Sequence, residues 1–131
     1  KGDLKSMQFK DESFDLIICN HVLEHIEDDR KALKEIYRVL KRGGISILQV
    51  PININRKKTF EDFNITSHQE REKNFGQYDH VREYGLDFKD RIEEVGFEVE
   101  MLNYGENFSK KMKIKYGLLE NDLIPIAKKI I

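Results

Sequence analysis

The sequence lacks tryptophan, has only two prolines, and contains a single cysteine, Cys19, among its 131 residues. One cysteine cannot form a disulfide within the chain, which is typical of a protein in a reducing cytoplasm. No stretch approaches the roughly 20 consecutive apolar residues that a membrane-spanning helix needs, and no signal peptide is visible. The net charge of −1 gives no overall attraction to nucleic acid or membranes. We therefore expect a cytoplasmic globular protein without a membrane partner.

Two apolar runs predict buried parallel strands with a helix between them. Phe14–Asn20 and Ile45–Val50 are continuous apolar segments without alternation, as is typical of strands covered on both faces. Between them, apolar residues at helical spacing predict a helix that is capped by Asp28 or Asp29 and closed by Gly43. A strand, a helix and a strand at this spacing predict one right-handed parallel crossover unit.

The second half of the sequence predicts a long polar segment, a short helix and two further strands. Asn53–Tyr84 shows no clean period, and a segment of that length in a compact domain is usually functional or partly helical. Asp87–Val95 predicts a helix, and the alternation that starts at Phe97 predicts a strand with one solvent-exposed face. Leu123–Ile130 predicts a last strand, which Pro125 assigns to a sheet edge or a bulge. The last two strands can pair antiparallel, so the predicted fold class is α/β.

The stretch HVLEH follows directly after the first strand. As letters, His21, Glu24 and His25 form the inverted zinc-hydrolase signature. Such a site needs both histidines on one continuous helix, whereas the strand end at Asn20 and the acidic caps that follow leave room for a turn or two. In open α/β sheets, ligands bind at the carboxyl ends of the strands, which favours a binding role for this stretch. A purely local role, in which Glu24 and His25 pair with each other or cap backbone groups, explains the same residues.

Residues 2–51 resemble the middle of class I S-adenosylmethionine-dependent methyltransferases of the type 11 kind. The motifs that carry the resemblance are Gly2-Asp3, Met7-x-Phe9, Asp11-Glu12-Ser13-Phe14-Asp15, Leu23-Glu24-His25 and Arg38-Val39-Leu40-Lys41-Arg42-Gly43-Gly44. Only Arg42 departs from the pattern, because the family usually has proline there. The segments Phe75–Gly85 and Val95–Glu100 resemble later parts of the family, so the resemblance extends over nearly the whole chain.

The resemblance implies a partial Rossmann-like sheet. The family has the strand order 3-2-1-4-5-7-6 with strand 7 antiparallel, and the four strands predicted above correspond to strands 4, 5, 6 and 7. Residues 1–131 then form a single domain, the C-terminal part of a methyltransferase domain that lacks strands 1 and 2. The family's glycine-rich first motif is also missing, since none of the eight glycines lies in a G-x-G-x-x-G or G-x-G-x-G pattern.

By resemblance, the cofactor of the complete protein is S-adenosylmethionine. In the family, the residue at Asp3 accepts a hydrogen bond from the adenine amino group, the backbone of Leu4 follows it, and Asn20 and His21 stand at the end of strand 4. A carboxylate suits an amine donor. A solvated chain terminus explains Asp3 as well. Because half of the cofactor site is missing, we expect this chain alone to be inactive.

The resemblance also implies methyl transfer to an unidentified O, N or C atom of a small-molecule or RNA acceptor. The enzyme has to position the acceptor and remove a proton, for which His21, His25 and His80 are candidates. Some relatives, the small-RNA 2′-O-methyltransferases and certain ubiquinone-pathway enzymes, hold a divalent metal at this place with E-x-x-E-H. Glu24, His25 and His80 match that pattern, while His21 replaces the first glutamate and shifts the preference toward softer metals.

The basic residues of the long polar segment have two explanations. They suit an anionic acceptor, and they are equally explained as solvated surface charge. These residues are Arg56, Lys57, Lys58, Arg71 and Arg82.

The strand Phe14–Asn20 would pair with strand 1 in the complete family fold. Without that strand it presents a bare apolar edge, and such edges recruit other strands. We therefore expect a homo-oligomer across this edge, or a monomer in which another segment, such as Leu123–Ile130, covers it. The alternative function is a non-catalytic oligomerisation or binding module derived from a methyltransferase. A zinc hydrolase that uses HVLEH is the third hypothesis.

Overall fold

The computed structural model describes residues 2–103, 105, 108–117 and 122–131. Its elements, in chain order, are β1 (Phe14–Asn20), a 3₁₀ turn (Leu23–His25), α1 (Asp29–Val39), β2 (Leu40–Gln49), β3 (Phe60–Glu61), α2 (His68–Phe75), β4 (Arg82–Glu83), α3 (Phe88–Glu93), β5 (Glu98–Asn103), α4 (Lys110–Tyr116) and β6 (Leu123–Lys128). No helix in these ranges is both long and apolar enough to cross a membrane.

Four strands form one mixed sheet in the order β1-β2-β6-β5. β1 and β2 are parallel, with Ile17 opposite Ser46, whereas β6 runs antiparallel to both of its neighbours. This is the order 4-5-7-6 expected from the resemblance, and the predicted α/β class is confirmed. The short strands β3 and β4 pair separately within the long polar segment, which also contains α2.

α1 connects the two parallel strands. Asp28 caps its first turn, because its side chain accepts a hydrogen bond of 3.0 Å from the backbone N–H of Lys31. The helix ends at Val39, before the predicted closing residue Gly43, because Leu40 is already extended and begins β2. Gly43 lies instead in an irregular part of β2, with a φ of 77° that favours glycine.

β6 is an interior strand, so the edge position predicted from Pro125 is wrong for the strand as a whole. Pro125 pairs with Met101 of β5, while β2 pairs with β6 only from Ile126 to Lys128. Pro125, which has no backbone N–H, therefore lies in the part of β6 that pairs with β5 but not with β2. On the side of β6 that faces away from β5, no strand is present there to accept a hydrogen bond from residue 125.

The apolar core lies between one face of the sheet and the helices α1 and α3. Its fully buried members include Leu33, Ile36, Leu48, Phe88 and Ile92. The opposite face of β1 is not covered by the described part of the chain, where Leu16 is 54% and Ile18 is 60% exposed. The expectation that β1 is buried on both faces is therefore wrong for these residues.

Candidate functional site

The candidate site begins where β1 ends. His21 continues the pairing with β2 through its N–H, which donates 2.8 Å to the carbonyl of Gln49, and it then turns with a left-handed φ of 54°. The chain next forms a single 3₁₀ turn, Leu23–His25. His21 and His25 therefore do not share a helix, and the inverted zinc-hydrolase arrangement is not formed.

Glu24 is a buried carboxylate without a hydrogen-bond donor among the described residues. Its residue exposure is 2%, and its Oε2 has no hydrogen-bond partner. Oε1 lies 3.6 Å from Nδ1 of His21 and 3.7 Å from Nε2 of His25, which are both longer than hydrogen bonds. A buried charge normally requires a partner, so this carboxylate indicates a position for a bound cation, a donor group or a proton.

His25 and His80 lie together beside Glu24. Their ring centroids are 4.8 Å apart in an edge-to-face arrangement, and His80 is buried. Nδ1 of His25 is 3.1 Å from the backbone carbonyl of Asp79. A carbonyl can only accept, so Nδ1 carries the proton in neutral His25 and Nε2 presents its lone pair on the side of Glu24.

The structure thus brings together three of the residues predicted to be catalytic or metal-binding. Ligand atoms of Glu24, His25 and His80 all lie within 4.8 Å of one another, and we refer to these residues as the carboxylate–histidine group. His21 is not a member of this group. Its side chain is 58% exposed at the rim, and its Nδ1 lies 3.6 Å from Oε1 of Glu24.

Three of the four predicted cofactor residues line one cleft at the end of β1. Asp3, Leu4 and Asn20 border a space of about 640 Å³, which we call the apolar cleft because most of its other lining is aliphatic or aromatic. The fourth, His21, is not among the residues that line it. A carboxylate beside an apolar wall suits a flat ligand that carries an N–H donor.

Cys19 also borders the apolar cleft but is not poised to act as a nucleophile. Burial, together with the nearby carboxylate of Glu24, raises its pKa to about 11. The thiolate is the reactive form, so this cysteine is protonated and unreactive at neutral pH.

Arg38 holds the segment that carries the cleft residues against α1, a role that the sequence did not predict. Its guanidinium donates to the carbonyls of Met7 and Phe9 and to the carboxylates of Asp11 and Glu35. The sequence indicated only a basic residue at the end of a helix. Its contacts with a segment 27 to 31 residues earlier have no local signal.

Arg82 is the second residue whose role was missed. The sequence places it among the charges that suit an anionic acceptor, but its side chain is fully buried and its donors are engaged by protein oxygens. It is therefore not available to an acceptor. A run of basic residues in a polar segment carries no signal that distinguishes a buried arginine from a solvated one.

Comparison with known proteins gives a match over the first part of the chain. Residues 1–48 match the family described as methyltransferase domain. Over 48 residues the chain is 44% identical to YcgJ of Bacillus subtilis, an uncharacterised methyltransferase, in an alignment that covers 37% of this chain and 19% of that protein. The chain therefore spans a small part of the length of the curated relatives it matches.

Solved structures extend the similarity over the described sheet. A S-adenosylmethionine-dependent methyltransferase of Thermotoga maritima matches with a TM-score of 0.57 and 25% identity, covering 98% of this chain and 62% of that one. Phosphoethanolamine N-methyltransferase 2 of Haemonchus contortus, solved with S-adenosylmethionine, matches with a TM-score of 0.59 and 19% identity. That match covers 97% of this chain and 36% of that one, and at this identity it shows a shared fold.

Proposed function

We propose that the chain belongs to the class I S-adenosylmethionine-dependent methyltransferase superfamily and takes part in transferring a methyl group to an O, N or C atom of an acceptor, as the family match and the similar structures support. The observation that supports this best is the arrangement at the end of β1. There Asn20 and Val22 line the apolar cleft, and the carboxylate–histidine group begins two residues later at Glu24. One ligand in the cleft and another at the polar group would meet at this strand end.

The cleft residues would hold the adenine side of the cofactor. When bound, S-adenosylmethionine supplies an electrophilic methyl group. The carboxylate of Asp3 would accept from an amino group, and the aliphatic side chains of Leu4 and Ile18 would cover the ring. Asn20 contributes the polar end of the strand. These residues bind and orient the cofactor, and they take no proton.

Proton removal from the acceptor is the task proposed for the carboxylate–histidine group. Nε2 of His25 has an available lone pair because Nδ1 is occupied by the Asp79 carbonyl, so it can accept a proton from an acceptor hydroxyl or amine. His80 is buried and packs edge-to-face against the same ring. The buried carboxylate of Glu24 stabilises the imidazolium that this transfer creates.

We further propose that this chain alone binds S-adenosylmethionine weakly and is inactive by itself. None of its glycines forms the glycine-rich turn of the family, so it contributes the adenine side without the cradle for the rest of the cofactor. A non-catalytic binding module derived from a methyltransferase is the alternative, and cofactor binding distinguishes the two.

The test is a titration of the ¹⁵N-labelled chain with S-adenosylmethionine, followed by NMR. We expect amide shifts confined to residues 2–22, with a Kd well above the micromolar range, and their loss in Asp3→Asn. Asp15→Asn is the matched control, because Asp15 lies in β1 and its side chain is 83% exposed, outside the cleft. Absence of any shift would refute the cofactor assignment, whereas tight binding would refute the proposal that the chain alone binds S-adenosylmethionine weakly.

A divalent cation at the carboxylate–histidine group is an alternative to proton removal by His25, because the Nε2 lone pair cannot bind a cation and accept a proton at the same time. Two ligands about 2.1 Å from one ion lie no more than about 4.2 Å apart, so a small side-chain movement would close the group, whose ligand atoms are within 4.8 Å. The His25 lone pair and the unpartnered Glu24 oxygen are groups that a cation would satisfy. The mixed nitrogen and oxygen set favours Zn²⁺ or Mn²⁺ over Mg²⁺. When bound, such an ion would orient a hydroxyl acceptor and lower its pKa.

Calorimetric titration with Zn²⁺ and Mn²⁺ tests this alternative. We expect Glu24→Gln to weaken binding by tenfold or more, since it removes a ligand charge from a buried site. His21→Ala is the control, because that side chain is exposed at the rim, and its effect should be less than threefold. Equal affinity of the Glu24→Gln and wild-type proteins would exclude this site.

A further inference from the structure

A buried guanidinium holds both ends of the 3₁₀ turn that carries Glu24 and His25. Nη1 of Arg82 donates 2.7 Å to the carbonyl of Leu23, the first residue of the turn, and 2.5 Å to that of Ile26. Nη2 donates 2.6 Å to the carbonyl of Glu27. Because the guanidinium is planar and rigid, these bonds fix the relative positions of three backbone carbonyls at once.

The same segment contacts the turn at two further points. The N–H of Val81 donates 2.9 Å to the carbonyl of Glu24, and the ring of His80 packs edge-to-face on His25. Three consecutive residues, 80 to 82, therefore each contact the turn. Of these contacts, those of Arg82 have the largest number of hydrogen bonds and the deepest burial.

Arg82 belongs to a cluster of two arginines and two carboxylates in which the positive and negative charges balance. Its Nε donates 2.8 Å to Glu61, and Arg91 donates 2.9 Å to Asp29 and 2.8 Å to Glu61. Tyr84 adds a hydrogen bond of 2.7 Å to Asp29. Two guanidinium groups thus face two carboxylates, so the buried arginine is stabilised without a bound ligand.

We infer that Arg82 is a positioning residue for the carboxylate–histidine group. It sets the turn that carries Glu24 and His25 at a fixed distance from His80, two positions before it in the chain. This inference rests on the function proposed for that group. The relative position of the two histidine rings, which the inference predicts to depend on Arg82, can be measured without any methyl transfer.

Arg91 provides a matched control for the loss of stability. It binds the same two carboxylates as Arg82 but, among the described residues, donates to none of the carbonyls of the turn. Removing the Arg91 guanidinium disturbs the charge cluster but leaves in place the three hydrogen bonds that Arg82 donates to the backbone carbonyls. A purely structural role of Arg82 therefore predicts similar behaviour of the two variants, whereas a positioning role predicts different behaviour.

The experiment compares Arg82→Gln with Arg91→Gln in the 131-residue chain, each below its melting temperature. We expect Arg82→Gln to lose the nuclear Overhauser effect between the His25 and His80 rings and to bind Zn²⁺ at least tenfold more weakly. Arg91→Gln should lower the melting temperature but retain the ring contact and bind Zn²⁺ within threefold of wild type. If Arg82→Gln does not fold, Arg82→Lys takes its place, because an ammonium keeps the charge but cannot reproduce the planar fork.

The outcomes separate this inference from the proposed function. A ring contact that survives in both Arg82 variants, or that is lost equally in Arg91→Gln, would overturn the positioning role. Loss of the contact in the Arg82 variants alone would support it, even if the wild-type chain binds no Zn²⁺. In that last case the metal proposal fails and the positioning of the two histidines stands.

Discussion

Among individual residues, Cys19 has a thiol whose pKa is strongly changed by the fold. Its pKa rises from 9.0 to about 11, chiefly because the thiol is buried and also because Glu24 is near. The native protein therefore holds this proton more tightly than the unfolded chain does. The resulting stabilisation is fully present below pH 9 and is lost as the pH rises toward 11.

We predict that Cys19→Ala flattens the alkaline limb of the stability profile. Between pH 9 and 11 the free energy of unfolding of the wild type should fall more steeply than that of the variant, by on the order of 2 kcal/mol. Denaturant titrations at several pH values measure this difference. Burial also raises the pKa of Tyr84 well above 10. Tyr84 is present in both proteins, so its contribution to the pH dependence of the free energy of unfolding cancels in the comparison. Parallel profiles would contradict the prediction.

The residues of the candidate site were predictable to different degrees. The spacing of HVLEH placed Glu24 and His25 at the end of a strand, and the structure has them there. His80 was included through the resemblance, because its distance in sequence gives no local indication of proximity. The role of Arg82 could not be predicted, because the carbonyls that it binds come close to Arg82 only when the long segment folds over the turn.

Among the secondary-structure elements, those with a strong apolar pattern were predictable. β1 has the predicted bounds, and α1 starts at the predicted cap. The end of α1 was displaced because pairing with β1 competes with helix continuation after Val39. The elements of the long polar segment were not predicted individually. α2 buries only Phe75, so it has no apolar stripe, and β3 and β4 are too short to show a period.

For the whole molecule, the open edge of β1 determines the expected assembly. β1 pairs only with β2 among the described strands, and it exposes Leu16 and Ile18 on the uncovered face. Edges of this kind pair with further strands. We propose that a second copy of the chain covers this edge.

Light scattering measures the molar mass that tests this assembly. We expect a dimer for the wild type and a dissociation constant at least tenfold higher for Ile18→Lys, because lysine on an edge strand opposes pairing. Ile114→Lys is the control, since Ile114 is 75% exposed on α4 rather than on this edge. A monomeric wild-type chain, or equal effects of both variants, would refute the role of the β1 edge.

The position of β6 has a consequence for the order in which the molecule is made. β6 follows the other strands in sequence but lies between β2 and β5, and it pairs Ile126 with both Ile47 and Glu100. Its pairing with β2 joins residues that are far apart in sequence, and contacts of that kind form slowly because a long loop must close first. Until β6 has been synthesised, β2 and β5 lack the strand that lies between them in the folded sheet. β6 can join the sheet only after residues 123–128 have left the exit tunnel, so we expect β2 and β5 to remain available until then to a chaperone that binds exposed strands.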